Sequence, residues 1–179
     1  MKKCQMILGL ALTAGLAACD KAPEKAAERM IESAMQKDGT RAKVDLSSSS
    51  AKITTTDASG KTTHLEMGGA KIGEAELGVP FYPGAKPADG GSSKVSTPDG
   101  SMYTVTLHSA DAADKVAAFY RERLKAMSEG KQFMDMSGGD GSANLVLADD
   151  KAKTSVQVHI AKAEKGTDLQ IIASRPTAK

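Results

Sequence analysis

Every aromatic residue of this chain lies between positions 81 and 133: Phe81, Tyr82, Tyr103, Phe119, Tyr120 and Phe133, with no tryptophan anywhere. Aromatic side chains bury the most area per residue, so the packed core has to form around this segment. The part before residue 79 has Met, Ile, Leu and Val alone to bury. It is too small and too poor in bulk to stand by itself and must lean on the rest.

The segment that opens the aromatic stretch, LGVPFYPGAKP (77–87), carries prolines and Gly84 that forbid a regular helix or central strand. It reads as a rigid apolar piece that plugs one edge of a core, with a binding lip as the functional alternative. Alternating residues predict strands over 92–97 and 101–108, paired across Thr97-Pro-Asp-Gly100. A helix follows over 110–130, capped by Ser109 or Asp111 and ended by Gly130. Its buried stripe is Ala113, Val116, Ala117, Tyr120, Leu124 and Met127, with Phe119 at the edge. A Gly-rich loop (137–142) leads to strands at 143–148, 154–162 and 168–174, and the chain ends in a polar tail.

Upstream, PEKAAERMIESAMQKDG (23–39) predicts a helix with Pro23 in the first turn and Gly39 past the end. Ala27, Met30, Ile31, Ala34 and Met35 form its apolar stripe, expected to pack on the protein's own sheet rather than on a membrane. Val44 and Leu46, then 53–56 and 62–67 joined by Asp57-Ala-Ser-Gly60, predict a small antiparallel meander. The expected class is therefore α+β: an antiparallel sheet with one long helix packed on a face, preceded by an N-terminal helix and small meander. The expected divisions are 1–18, 19–75, 76–176 and 177–179.

The N-terminus supplies an address. Lys2 and Lys3 precede an apolar run, MILGLALTAGL (6–16), and then Leu16-Ala17-Ala18-Cys19. Charge, a short apolar stretch and small residues before a cleavage point mark a secretory signal. The run is far short of the roughly 20 residues that cross a bilayer. Positions 16–19 resemble the bacterial lipobox. That resemblance implies cleavage before Cys19 and acylation of its sulfur, so that the partner is the lipid bilayer on the periplasmic side. Asp20, next to the acylated residue, weakly favours retention at the inner membrane over the outer one. Cys4 falls in the discarded segment, leaving no disulfide and no free thiol. Loss of Lys2 and Lys3 also brings the 24 cations level with the 22 acids, so the composition gives no sign of a nucleic-acid partner.

No catalytic constellation emerges. Ser59-Gly-Lys-Thr62 has Thr55 where a phosphate loop needs glycine, and a strand follows instead of a helix. Asp135-Met-Ser-Gly-Gly-Asp140 places Ser137, Gly139 and Val146 where a calcium loop needs oxygen-rich ligands. Gly139-Asp-Gly-Ser142 is no nucleophile elbow. His64, His108 and His159 fall on polar strand faces; a His108–His159 pair would need neighbouring strands and further ligands. No metal, cofactor or catalytic residue is expected.

VPFYPGAK (79–86) followed by AAFYRERL (117–124) resembles a group of bacterial lipoproteins of unknown function, which carry a V-P-x-Y-P-G-A segment and then a helix with F-Y-x-x-x-L. The resemblance implies address and fold, and no activity. Phe81, Tyr82, Phe119 and Tyr120 are expected to meet in one aromatic cluster, as core or as binding lip. The functional expectation is a non-enzymatic binding or scaffolding module with an envelope protein partner. The alternatives are a small-ligand sensor or carrier with an apolar pocket beside the Pro-rich segment, and an unrecognised periplasmic hydrolase.

Overall fold

A computed structural model describes residues 22–36, 40–139 and 141–177. Cys19, Asp20, the expected signal sequence and Gly39 lie outside the described residues. The expected α+β class is corrected by what is seen. Nine strands form one antiparallel sheet, and the helices are short, so the fold is mainly β.

The strands are β1 (Arg41–Leu46), β2 (Ala51–Thr56), β3 (Thr62–Met67), β4 (Lys86–Thr97), β5 (Gly100–Ser109), β6 (Gln132–Ser137), β7 (Ala143–Asp149), β8 (Thr154–Lys162) and β9 (Thr167–Pro176). Their spatial order is β1-β2-β3-β4-β5-β9-β8-β7-β6. The meander β1–β3 continues directly into the rest of the sheet, because β3 pairs with β4 from His64↔Ser96 to Met67↔Ser93. The helices are α1 (Ala22–Gln36), α2 (Glu74–Leu77) and α3 (Ala113–Ala126). After β5 the chain crosses the sheet as α3, reaches the far edge at β6, and returns by hairpins to place β9 beside β5.

The helix expected over 110–130 shortens to the 14 residues of α3 for local reasons. Ser109 is the last residue of β5, and its hydroxyl accepts from the Asp111 N–H. The Asp111 carboxylate is engaged by Tyr82 and Lys115. Neither residue is the cap; Ala112 is, with no side-chain hydrogen bond. At the other end Met127 is the C-cap, and Gly130 lies beyond in a turn with φ +69°.

The face of the sheet under α3 is the front. Three cross-strand rows fill it: Leu107–Leu169–Ile160–Ala143, Val105–Ile171–Val158–Leu145, and Tyr103–Ala173–Val156–Leu147–Phe133. All are buried except Tyr103 and Phe133, which pack against the cluster part-buried. Ala113, Val116, Ala117, Tyr120 and Leu124 of α3 close over them, joined by Leu77, Val79 and Tyr82. Leu77 and Val79 flank Gly78, which has φ +72°. Arg175 reaches in from β9 to donate to the carbonyls of Leu77 and Glu76 at 2.9 and 3.3 Å. Full burial of each such side chain contributes roughly 1.5–3 kcal/mol, so this half of the sheet holds the main core.

Two expectations change in detail. Strand β4 begins at Lys86 rather than 92, because a register shift between Pro87 and Ser92 lets the proline end pair with β5. In α1, Met30 and Ala34 face solvent, while Ala27, Ile31 and Met35 are the half-buried members of the stripe.

Candidate functional site

Of the four aromatic residues singled out from the sequence, three touch. The Tyr82 and Phe119 rings meet edge-on, with centroids 5.3 Å apart and planes at 85°. Phe119 and Tyr120 meet likewise at 5.1 Å and 89°. Phe81 packs part-buried against the same core. Such edge contacts between rings add about 0.5–1.5 kcal/mol beyond their area. Tyr82 is 5% exposed, so the Pro-rich segment fills this region rather than framing an opening.

A polar node borders the cluster. The Tyr82 hydroxyl donates to Asp111 Oδ2 at 2.6 Å, and Lys115 Nζ donates to the same oxygen at 3.0 Å. The Thr167 hydroxyl donates to the Asp111 carbonyl at 2.7 Å, tying β9 to the α3 approach. The hydrogen bond from Tyr82, then that from Lys115, holds the Asp111 carboxyl below the usual carboxylate range. Burial, then the bond to Asp111, pushes the Tyr82 phenol up. The Tyr120 hydroxyl is fully enclosed and meets no partner in hydrogen-bond geometry. Burial pushes it up, against a weaker pull from the Tyr82 backbone N–H. Each shift favours the form the group ordinarily takes at neutral pH, an ionised carboxylate for Asp111 and protonated phenols for Tyr82 and Tyr120.

The sheet's own pattern is more informative, because its apolar face changes sides. On the front, the row that is Tyr103–Ala173–Val156–Leu147–Phe133 in one half reads Asp45–Lys52–Glu66–Lys94 in the other. Lys52 meets Glu66 at 3.4 Å, and Lys94 sits 5.5 Å from the Tyr103 ring centroid. On the back, the neighbouring row runs Val44–Ile53–Leu65–Val95–Met102 and then turns polar as Ser174–Ser155. A second back row runs Leu46–Ala51–Met67–Ser93–Thr104–Ile172–Gln157–Val146–Met134, with Met134 46% exposed at its far end.

Nothing among the described residues closes over the back face from β2 to β5 as α3 closes over the front. Helix α1 lies along β1 and buries Val44. Ile53, Leu65 and Val95 remain half-buried, and Met67 and Met102 are 49% and 44% exposed. Between α1 and this strip runs an open trough of about 550 Å³, lined by Ala27, Leu46, Ala51 and Met67 among others. No charged side chain lies on the back face of β2 or β3, which presents Ala51, Ile53, Thr55, Thr63, Leu65 and Met67. The front of the same strands carries a smaller and more enclosed groove of about 290 Å³, lined by Lys52, Thr54, His64, Glu66, Lys94 and Ser96 together with Ile53 and Leu65.

The histidines do not assemble. His64 Nδ1 is paired with Thr54 Oγ1 at 3.0 Å on the front. His108 Nδ1 lies 2.8 Å from Asp168 on the back, and β9 separates its strand from that of His159. Among the described residues no cluster of His, Cys, Asp and Glu would hold a metal. No helix there is long and apolar enough to cross a membrane. Sequence reasoning missed the back-face strip. Its signal was present: the inward residues of 42–67 alternate as cleanly as those of 154–162, but only pairing register shows that the two sets point to opposite sides.

Compared with known proteins, the chain matches no family model, no curated protein and no solved structure.

Proposed function

We propose that this chain is a membrane-anchored envelope lipoprotein, tethered through acylated Cys19, that acts as a non-enzymatic binding module. Its binding surface is the back face of β2–β5. The observation that carries this reading is the apolar row Ile53–Leu65–Val95–Met102, left open where a sheet of this size ordinarily has a covering layer. Contiguous exposed apolar surface on a folded chain marks an interaction site. Methionine at its rim suits a surface that adapts to its partner, because the side chain is unbranched and polarizable. The tether rests on Lys2-Lys3, the apolar run and Leu-Ala-Ala-Cys19.

The partner class is another envelope protein with an apolar face. The carrier alternative needs a cavity beside Tyr82, and the trough and groove described above do not include that residue. A photocrosslinking residue at Met67 or Met102 is expected to capture a discrete partner in cells, while one at Thr54 on the front is not. Equal capture from both faces, or none from the back, overturns the assignment of the surface. Membrane fractionation and intact mass of the wild type and Cys19→Ala test the tether. An acyl mass that is lost in a soluble or uncut variant supports it, and two alike soluble proteins refute it.

A further inference from the structure

The charges of α1 are sorted by side. Glu28 Oε1 accepts from the Leu46 N–H at 2.8 Å, and Glu32 Oε1 accepts from the Val44 N–H at 2.9 Å. These two carboxylates cap the free edge of β1, and Glu24 lies on the same half-buried side. Both cations, Lys25 and Arg29, are exposed on the outer arc, which begins beside Glu32. That arc continues through Ala26, Ser33 and Ala34 to Met30, which is 73% exposed. It holds no acid.

We propose that this outer arc of α1 rests on the anionic phospholipid surface to which the chain is tethered. The inference builds on the tether reading above. Asp20 and Lys21 alone separate Cys19 from the first residue of α1. At about 3.3–3.6 Å per residue, the helix start is held within roughly 11 Å of the Cys19 Cα. A basic side chain near an anionic leaflet gains about 1 kcal/mol, and an exposed methionine adds apolar area at the headgroup boundary. Neither would anchor a free protein, but the acyl chains already supply the concentration. Contact by this arc sets the orientation: the sheet edge at β1 faces the bilayer, and the back-face strip stands across its surface.

The test uses the acylated full-length product and places an environment-sensitive fluorophore on Met30→Cys. With Cys4 cleaved away and Cys19 acylated, this is the one free thiol. Vesicles of phosphatidylglycerol with phosphatidylethanolamine are compared with phosphatidylcholine vesicles and detergent micelles. The expected result is blue-shifted emission and severalfold weaker iodide quenching on the anionic vesicles. The same label on Thr54→Cys stays accessible, and Lys25→Glu with Arg29→Glu restores quenching at Met30→Cys while flotation persists. Flotation with a label at position 30 as accessible as in micelles overturns the orientation and leaves the tether standing. Failure to float overturns both.

Discussion

The two halves of this sheet share one hydrogen-bonded ladder and solve burial in opposite ways. From β5 to β6 the front face is apolar and lies under α3 and the 77–82 segment, with Leu145, Val158, Ile160 and Ile171 fully enclosed. From β1 to β4 the front row is an alternation of charge, Asp45–Lys52–Glu66–Lys94, and the apolar residues point backward. The switch happens within one row, between Lys94 and Tyr103. Continuity of backbone pairing therefore does not imply continuity of core. A face becomes the inside when a crossover helix returns over it, and α3 returns over one half only.

The largest effects should expose that inequality. Leu145→Ala empties a fully buried site at the centre of the packed half and is expected to cost about 2–5 kcal/mol. Leu65→Ala, half-buried on the open back face, is expected to cost about 1 kcal/mol. Urea denaturation of the two variants measures both. Equal losses would mean that the back strip is as enclosed as the core, and the comparison would fail.

The hairpin turns offer a matched pair. Gly60 (φ +83°) turns β2 into β3, and Gly166 (φ +90°) turns β8 into β9. A side chain on Gly60 meets nothing within 4 Å, so Gly60→Ala carries the left-handed penalty alone, about 1–2 kcal/mol. A Cβ on Gly166 would stand 2.0 Å from the Ser109 carbonyl oxygen. Backbone there cannot yield without moving the end of β5, so Gly166→Ala is expected to cost about 3 kcal/mol or more. Thermal melts that rank the pair the other way would show the packed half to be the more compliant.

Much of this architecture was legible in the sequence, and what was not has a physical reason. The turns at 57–60 and 97–100 announced themselves, because Asp, Pro and Gly occupy the positions such turns demand. The contact of Tyr82 with Phe119 followed from the crowding of aromatics. Strand β6, QFMDMS, was not anticipated: it has no β-branched residue, and Asp135 sits on its core face only because Arg121 of α3 meets it at 2.6 Å. The Arg121 hydrogen bond, then that from Ser137, holds the Asp135 carboxyl low, an arrangement no local pattern encodes. The reversal of faces was equally hidden, since period-two alternation fixes which residues share a side and not which side is covered.

A pH experiment separates the polar clasp of the packed half from the rest. The Asp111 carboxyl lies below its ordinary value because Tyr82, then Lys115, hydrogen-bonds to its charged form. A depressed carboxyl stabilises the fold at pH above its unfolded value, near about 4, and that stabilisation is lost as pH falls through the folded value. Asp111→Asn is thus expected to lower stability at neutral pH and to flatten the acid limb of a stability–pH profile. A variant with the full acid limb of the wild type would show that Asp111 contributes nothing to it.

The smallest effect tests the open half. Lys52 and Glu66 face each other on the front with side chains 62% and 31% exposed. A pair that wet is expected to show a coupling of about 0.2–1 kcal/mol in a double-mutant cycle with Lys52→Ala and Glu66→Ala, and less in high salt. The alternation of sign along the row makes each charge the neighbour of an opposite one, so truncating either member leaves the other with a partner, Asp45 or Lys94. The cost of each single variant should therefore also be small. A coupling well above that range, insensitive to salt, would mean that the front groove is dry in the folded protein. The charged face would then be covered as well, and the division between a packed half and an open half would have to be redrawn.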